Sequence, residues 1–168
     1  SLPDVLPVLR PDDRDVIYFC NSGSEAVEGA VKMAYKYHGG ARKLILHSDI
    51  SFHGKLLGAG SLTASPDVHF AFPRIPDTQA FIYDDIESVR SLVRTHRRGR
   101  HSKIYAIIVE PFSAGTLREC SSRFLSQLRE LCAREDIVLI FDEVYSGWCK
   151  TGAYFAFMHH NVLPDVLC

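Results

Sequence analysis

Short β-branched apolar runs alternate with amphipathic helical patterns along almost the whole chain, and that alternation leaves few folds open. KLILH (43 to 47), IYAIIVEP (104 to 111) and IVLIF (137 to 141) are near-continuous apolar runs of strand length, as strands covered on both faces require. VIYFC (16 to 20) reads the same way, as a buried strand feeding the helix SEAVEGAVKMAYKY, in which Ala26, Val27, Ala30, Val31 and Ala34 recur at helical spacing. DDIESVRSLVRTH sets Ile86, Val89, Leu92 and Val93 on one face, with Asp84 the expected cap. SSRFLSQLRELCARE does the same with Phe124, Leu125, Leu128, Leu131 and Cys132. Buried strands separated by such helices predict an α/β fold, a three-layer α/β/α arrangement around a mostly parallel sheet. Ligands of such sheets gather outside the carboxyl ends of the strands.

The chain has 168 residues, 46% of them hydrophobic, and a formal net charge of -1, enough for one good core and no bulk pull toward nucleic acid or membrane. It therefore reads as a single domain over 1–168, with 1–15 as an N-terminal lead-in and no internal repeat. Its apolar runs fall far short of the roughly 18 residues a membrane helix needs. The opening SLPDVLPVLRPDD lacks a signal peptide's layout, so an intracellular protein, cytoplasmic or mitochondrial, is expected. Cys20, Cys120, Cys132, Cys149 and Cys168 are odd in number and form no CxxC pair, so they read as reduced thiols. The basic run RTHRRGRHSK (94 to 103) reads as a solvated helix end, and His159-His160 as an exposed loop without further metal ligands at suitable spacing. The Gly-, Ser- and Pro-rich stretch from Ser48 to Tyr83 is long and poorly patterned, which places it near a site.

Three strand ends carry unusual polar residues. NSGSEA (21 to 26) offers Ser22 or Ser24 as a cap, a Ser22/Glu25 capping-box spacing, and Gly23 for close backbone approach. Such a start is either a well-made helix terminus or a seat for a phosphate, since free N–H groups point out of it. SFHG (51 to 54) puts Phe52 beside His53, either as packing or as an aromatic plane for a flat ring. VLIFDEVYSG (138 to 147) ends an apolar strand on Asp142, and a lone buried carboxylate costs several kcal/mol unless something cationic meets it. Apolar residues followed by Asp-Glu also describe an ATPase strand. That chemistry needs G-x-x-x-x-G-K-[ST], whereas the only Lys before Ser or Thr is Lys150, preceded by Cys149. A G-x-G-x-x-G dinucleotide fingerprint is absent from Asn21 to Glu28 as well.

FCNSGSEAVEGAVKMAYKY, SFHGKLLGAGSLT, IIVEP and LIFDEVYSGWCKTG, in this order and spacing, resemble the class III aminotransferases, pyridoxal 5'-phosphate enzymes of fold type I. The likeness runs from about Val16 to the last residue and implies the front part of that family's large, cofactor-binding domain. It implies that Gly23 and Ser24, with Ser22 beside them, bind the cofactor phosphate. Phe52 matches the aromatic stacked on the pyridine ring, with His53 and Gly54 adjoining it. Val144 matches the apolar residue on the opposite face, and Asp142 the catalytic carboxylate paired with the ring nitrogen. Glu110 and Tyr145 fall near the ring's hydroxyl side. The partners implied are a small-molecule amino donor and an oxo acid or aldehyde acceptor, no nucleic acid and no membrane, with a homodimer in the complete protein.

The family's Schiff-base lysine is expected about three residues beyond Cys168, on the pattern of such cofactor lysines. Lys32, Lys36, Lys43, Lys55, Lys103 and Lys150 match none of its context and read as surface residues. This chain by itself is thus expected to be an incomplete and inactive piece of a transaminase. A non-catalytic pseudo-enzyme or interaction module that keeps the fold is the alternative. Two departures bear on substrate. EPFSAGTL carries Gly115 where many members have an acid, and Tyr145 stands where Gln is common.

Overall fold

The computed structural model describes residues 16–64, 77–99 and 101–168. The expected lead-in and the middle of the Ser48 to Tyr83 stretch lie outside them. In chain order the elements are α1 (Gly23–Tyr37), β1 (Leu44–Ser48), α2 (Leu57–Ser61), β2 (Thr78–Phe81), α3 (Ile86–Thr95), β3 (Arg97–Arg98), β4 (His101–Ser102), β5 (Ile104–Val109), α4 (Ser122–Glu135), β6 (Val138–Phe141), a 3-10 helix (Ala156–His160) and β7 (Val166–Leu167). Five strands form one sheet in the order β2-β1-β5-β6-β7, every pairing parallel, while β3 and β4 make a separate antiparallel pair.

Alternate residues of the central strands face opposite layers. Leu44, Leu46, Ile107, Val109, Leu139 and Phe141 pack under α3 and α4, the latter contributing Phe124, Leu125, Leu128, Leu131 and Cys132. Ile45, Ala106, Ile108, Val138 and Ile140 pack on the other side against Val27, Ala30, Val31 and Ala34 of α1 and Ala59 of α2. This is the expected three-layer α/β/α arrangement. Each large apolar side chain buried in these layers is worth about 1.5–3 kcal/mol, so the central strands set the register. No described helix is long and apolar enough to cross a membrane.

Three local expectations are corrected. Val16 to Cys20 forms no strand, and all five residues are exposed. Apolarity supplies a face but no hydrogen-bonded neighbour, and this segment pairs with no described strand; instead Tyr18 lays its ring against α1 at Gly29. The cap of α3 is Asp85, whose side chain accepts from the N–H groups of Glu87 and Ser88. Asp84 adopts a left-handed φ of 62° and accepts from the N–H and hydroxyl of Ser121, the cap of α4, so it ties two helix starts together. His159 and His160 end a 3-10 helix rather than an open loop, and His160 lies 3.2 Å from a Glu119 oxygen with its side chain 7% exposed. The basic run leaves α3 as expected, then turns back through β3 and β4.

Candidate functional site

Strand order fixes where a crevice opens. From β1 the chain steps outward to β2 and then returns to the other side of β1 as β5, so the strand order reverses between β1 and β5 while the strands stay parallel. The loops leaving these two strands are joined there: the Phe52 N–H donates to Glu110 Oε2 at 2.9 Å, and the Ala114 N–H donates to Glu110 Oε1 at 3.0 Å. Register does the rest. Val109 pairs with Phe141 and Phe141 with Leu167, so the next residues, Glu110, Asp142 and Cys168, share one row at the carboxyl edge. All three strands deliver their first polar position to the same level.

Asp142 is 5% exposed. Its Oδ2 accepts from His53 Nδ1 at 2.7 Å and its Oδ1 from the Val144 N–H at 3.1 Å. The His53 side chain has no exposed surface, its backbone N–H donates to Thr63 Oγ1 at 2.9 Å, and its ring Nε2 has no partner among the described residues. With one oxygen on the buried His53 ring and the other on the Val144 N–H, the carboxylate is held in one orientation. Glu110 has its pKa raised, first by burial, against the opposing pull of His53 and of the two N–H donors. Burial thus favours its neutral form while the hydrogen bonds favour the anion.

The start of α1 meets this row from above the sheet face. Ser22 caps the helix, its hydroxyl accepting from the Glu25 N–H at 3.3 Å, and Glu25 accepts from the Asn21 N–H at 2.7 Å. Gly23 and Ser24 are the first two helical residues, and their N–H groups have no intrahelical acceptor. Both are gripped closely. A Cβ on Gly23 would stand 2.4 Å from Val144 Cγ1, and one on Gly54, whose φ is +115°, would stand 2.1 Å from Ser24 Oγ. The helix start, the SFHG loop and the loop after β6 are therefore in mutual contact. Val144 remains 48% exposed, and Tyr145 lies at the rim with its ring stacked on Phe112.

Of the sequence candidates, Ser22, Gly23, Ser24, Phe52, His53, Glu110, Asp142 and Val144 converge here, and Tyr145 flanks them. Glu143 does something the sequence reading missed. Neighbouring residues at a strand end point to opposite sides, and Glu143 turns inward to accept from Ser146 Oγ at 2.8 Å and from the N–H groups of Ala156 and Phe157 at 2.6 and 2.8 Å. It fastens the 3-10 helix to the end of β6. The only advance signal is Ser146 three residues on. Thr63 was also missed, although it carries His53 and, through a bond to the Gly54 carbonyl, the turn behind it. All six lysines are exposed. A cavity of about 460 Å³ lies at the opposite, amino end of the sheet, among Met33, Tyr37, Cys132 and Val166, and receives none of these groups.

Comparisons with known proteins give the chain a family and a fold. A family model described as Aminotransferase class-III matches residues 2–168. The acetylornithine aminotransferase of Methanopyrus kandleri is 38% identical over 98% of this chain and 40% of its own length. That of Clostridium acetobutylicum is 36% identical over 96% of this chain and 41% of its own. Among solved structures, the ornithine aminotransferase of Toxoplasma gondii superposes with a TM-score of 0.76 at 28% identity, over 88% of this chain and 36% of that one. The chain thus spans about two fifths of the length of the curated relatives it matches.

Proposed function

As the chain belongs to the class III aminotransferases, whose family is associated with pyridoxal phosphate, we propose that the complete protein moves an amino group between a small-molecule donor and an oxo acid or aldehyde, using the site at the carboxyl edge. Residues 1–168 would then be part of a larger cofactor-binding domain, in an intracellular protein that works as a homodimer. When bound, pyridoxal 5'-phosphate supplies an electron sink for the carbanion left as an amino substrate loses a proton.

The residues present fit that group. The unbonded N–H groups of Gly23 and Ser24, with the Ser22 and Ser24 hydroxyls, form a phosphate seat at a helix N-terminus. The helix dipole adds about 0.3–1 kcal/mol, so charge-assisted hydrogen bonds would carry most of the affinity. Phe52 and Val144 would hold the two faces of a flat ring. Asp142, held by His53, would keep a proton on the ring nitrogen, where each pKa unit gained is worth about 1.4 kcal/mol. Glu110 and Tyr145 would stand toward the ring's hydroxyl.

The observation that carries the reading is the single row of strand ends holding Asp142 in contact with His53 and, through Val144, with the start of α1. Its test is transamination by the complete protein carrying Asp142→Asn, alongside cofactor binding followed by absorbance. A fall in kcat of at least about a hundredfold with cofactor still bound is expected, since an amide cannot hold the nitrogen's proton. Undiminished turnover would refute the role of Asp142. Failure of the unmodified protein to take up the cofactor would refute the proposed function as a whole.

A further inference from the structure

Two side chains at the rim, Phe112 and Lys150, have no part in the chemistry above, and both meet Tyr145 at the edge of the site. Phe112 and Tyr145 stack with ring centroids 6.4 Å apart and planes inclined by 14°, and Lys150 Nζ sits 4.8 Å from the Tyr145 centroid. The stack stands between the two loops that end in the site. Phe112 lies two residues beyond Glu110, and Tyr145 directly follows Val144, which touches Gly23. It is also rigid. Phe112 forms a β-bridge with Glu119, and the turn between them is closed by hydrogen bonds from Ser113 N–H to the Arg118 carbonyl at 2.7 Å and from Cys120 N–H to the Pro111 carbonyl at 2.8 Å.

The charges around the stack are one-sided. Lys150 is exposed and pairs with no carboxylate among the described residues. The acids of the two loops hold donors of their own, Glu110 those of Phe52 and Ala114, Asp142 those of His53 and Val144, and Glu143 those of Ser146 and the 3-10 helix, while Glu119, across the bridge from Phe112, lies beside His160. Gly115 puts no charge on the turn beyond Phe112. An ammonium arriving here would meet a like charge, with the Tyr145 face already taken by Lys150. A flat apolar group ending in an anion would meet rings and a cation.

We propose that Phe112, Tyr145 and Lys150 form the distal substrate subsite of the proposed active site, selecting amino compounds or oxo acids whose far end is an apolar or aromatic group bearing a carboxylate, and rejecting those with a second amine. The assignment rests on the aminotransferase reading for its meaning as a substrate subsite, while the charge preference itself is independent of it.

The test measures calorimetric binding of two matched probes, 4-phenylbutyrate and 4-phenylbutylamine, to the protein with and without pyridoxal phosphate. The unmodified protein should bind the carboxylate about fivefold more tightly than the amine, Lys150→Ala should level the two, and Lys150→Glu should reverse them. Phe112→Leu, which keeps apolar volume but ends the stack, should weaken both probes about fivefold and leave cofactor affinity unchanged. Equal binding of the probes, binding of neither, or a preference that survives Lys150→Glu overturns the subsite. Loss of cofactor binding with the Lys150-dependent preference intact overturns the aminotransferase reading and leaves the charged shelf standing.

Discussion

Replacing Glu143 with alanine removes the acceptor of three buried or part-buried donors, the Ser146 hydroxyl and the N–H groups of Ala156 and Phe157. A buried donor left unsatisfied costs about 1–3 kcal/mol. The hydroxyl can turn toward another acceptor, but the two N–H groups are fixed by the backbone of the 3-10 helix. Two orphans give a loss of about 2–6 kcal/mol, offset in part because the buried carboxylate's own desolvation disappears with it. A net loss of about 3 kcal/mol is expected, which at a slope of roughly 2 kcal/mol per molar lowers the urea midpoint by about 1.5 M. Far-UV circular dichroism is the suitable probe, since Trp148 is already 67% exposed in the folded chain and reports little. The neighbouring change, Asp142→Asn, should behave differently. The new amide can still accept from the Val144 N–H, and its NH2 can donate to His53 Nδ1 once that ring carries its proton on Nε2 instead, the atom without a partner among the described residues. Its midpoint should move by no more than about 0.5 M. A shift below about 0.3 M for Glu143→Ala, or equal losses for the two variants, would refute the division of labour between these adjacent carboxylates.

Two further outcomes are expected from the same geometry. Gly54→Ala should cost about 2–3 kcal/mol and weaken cofactor binding together, because its left-handed φ of +115° is strained for alanine and the new Cβ meets not only Ser24 Oγ at 2.1 Å but the Ser24 backbone Cα at 3.2 Å, so the helix start itself must move; chemical denaturation and a cofactor titration check the two effects. Glu110 has a folded pKa raised from 4.5, so the folded state holds more protons than the unfolded one in the interval above that value, and its contribution to stability is full below 4.5 and declines as pH rises through the folded pKa. Glu110→Gln should abolish that decline, and parallel urea midpoints of the two proteins from acid to neutral pH would sink the claim.

How much of this could be read from the sequence depended on whether a residue's role is local or borrowed. The central strands and the faces of α3 and α4 were legible because burial on both sides writes a continuous apolar run, and one-sided burial writes a helical stripe; Leu128 needs no knowledge of its neighbours to announce itself. Val16 to Cys20 carries an equally clear apolar signal and still forms no strand, because pairing depends on an edge that its own residues do not supply. The cap of α3 was misplaced by one position for the same reason in miniature, whereas Ser22 caps α1 as its own spacing suggested. Asp84 and Asp85 are chemically alike, and only the left-handed turn at Asp84 turns its carboxylate toward Ser121 and leaves Asp85 to cap α3. Within the site, the sequence offered Asp142 and Glu143 as one acidic pair. The strand's pleat separates them, sending one to His53 and the other to three donors fourteen or fewer residues downstream. Asp142 is thereby excused from holding the fold together, and a carboxylate with no structural duty beyond its tie to His53 and Val144 is the one whose charge the site is free to use.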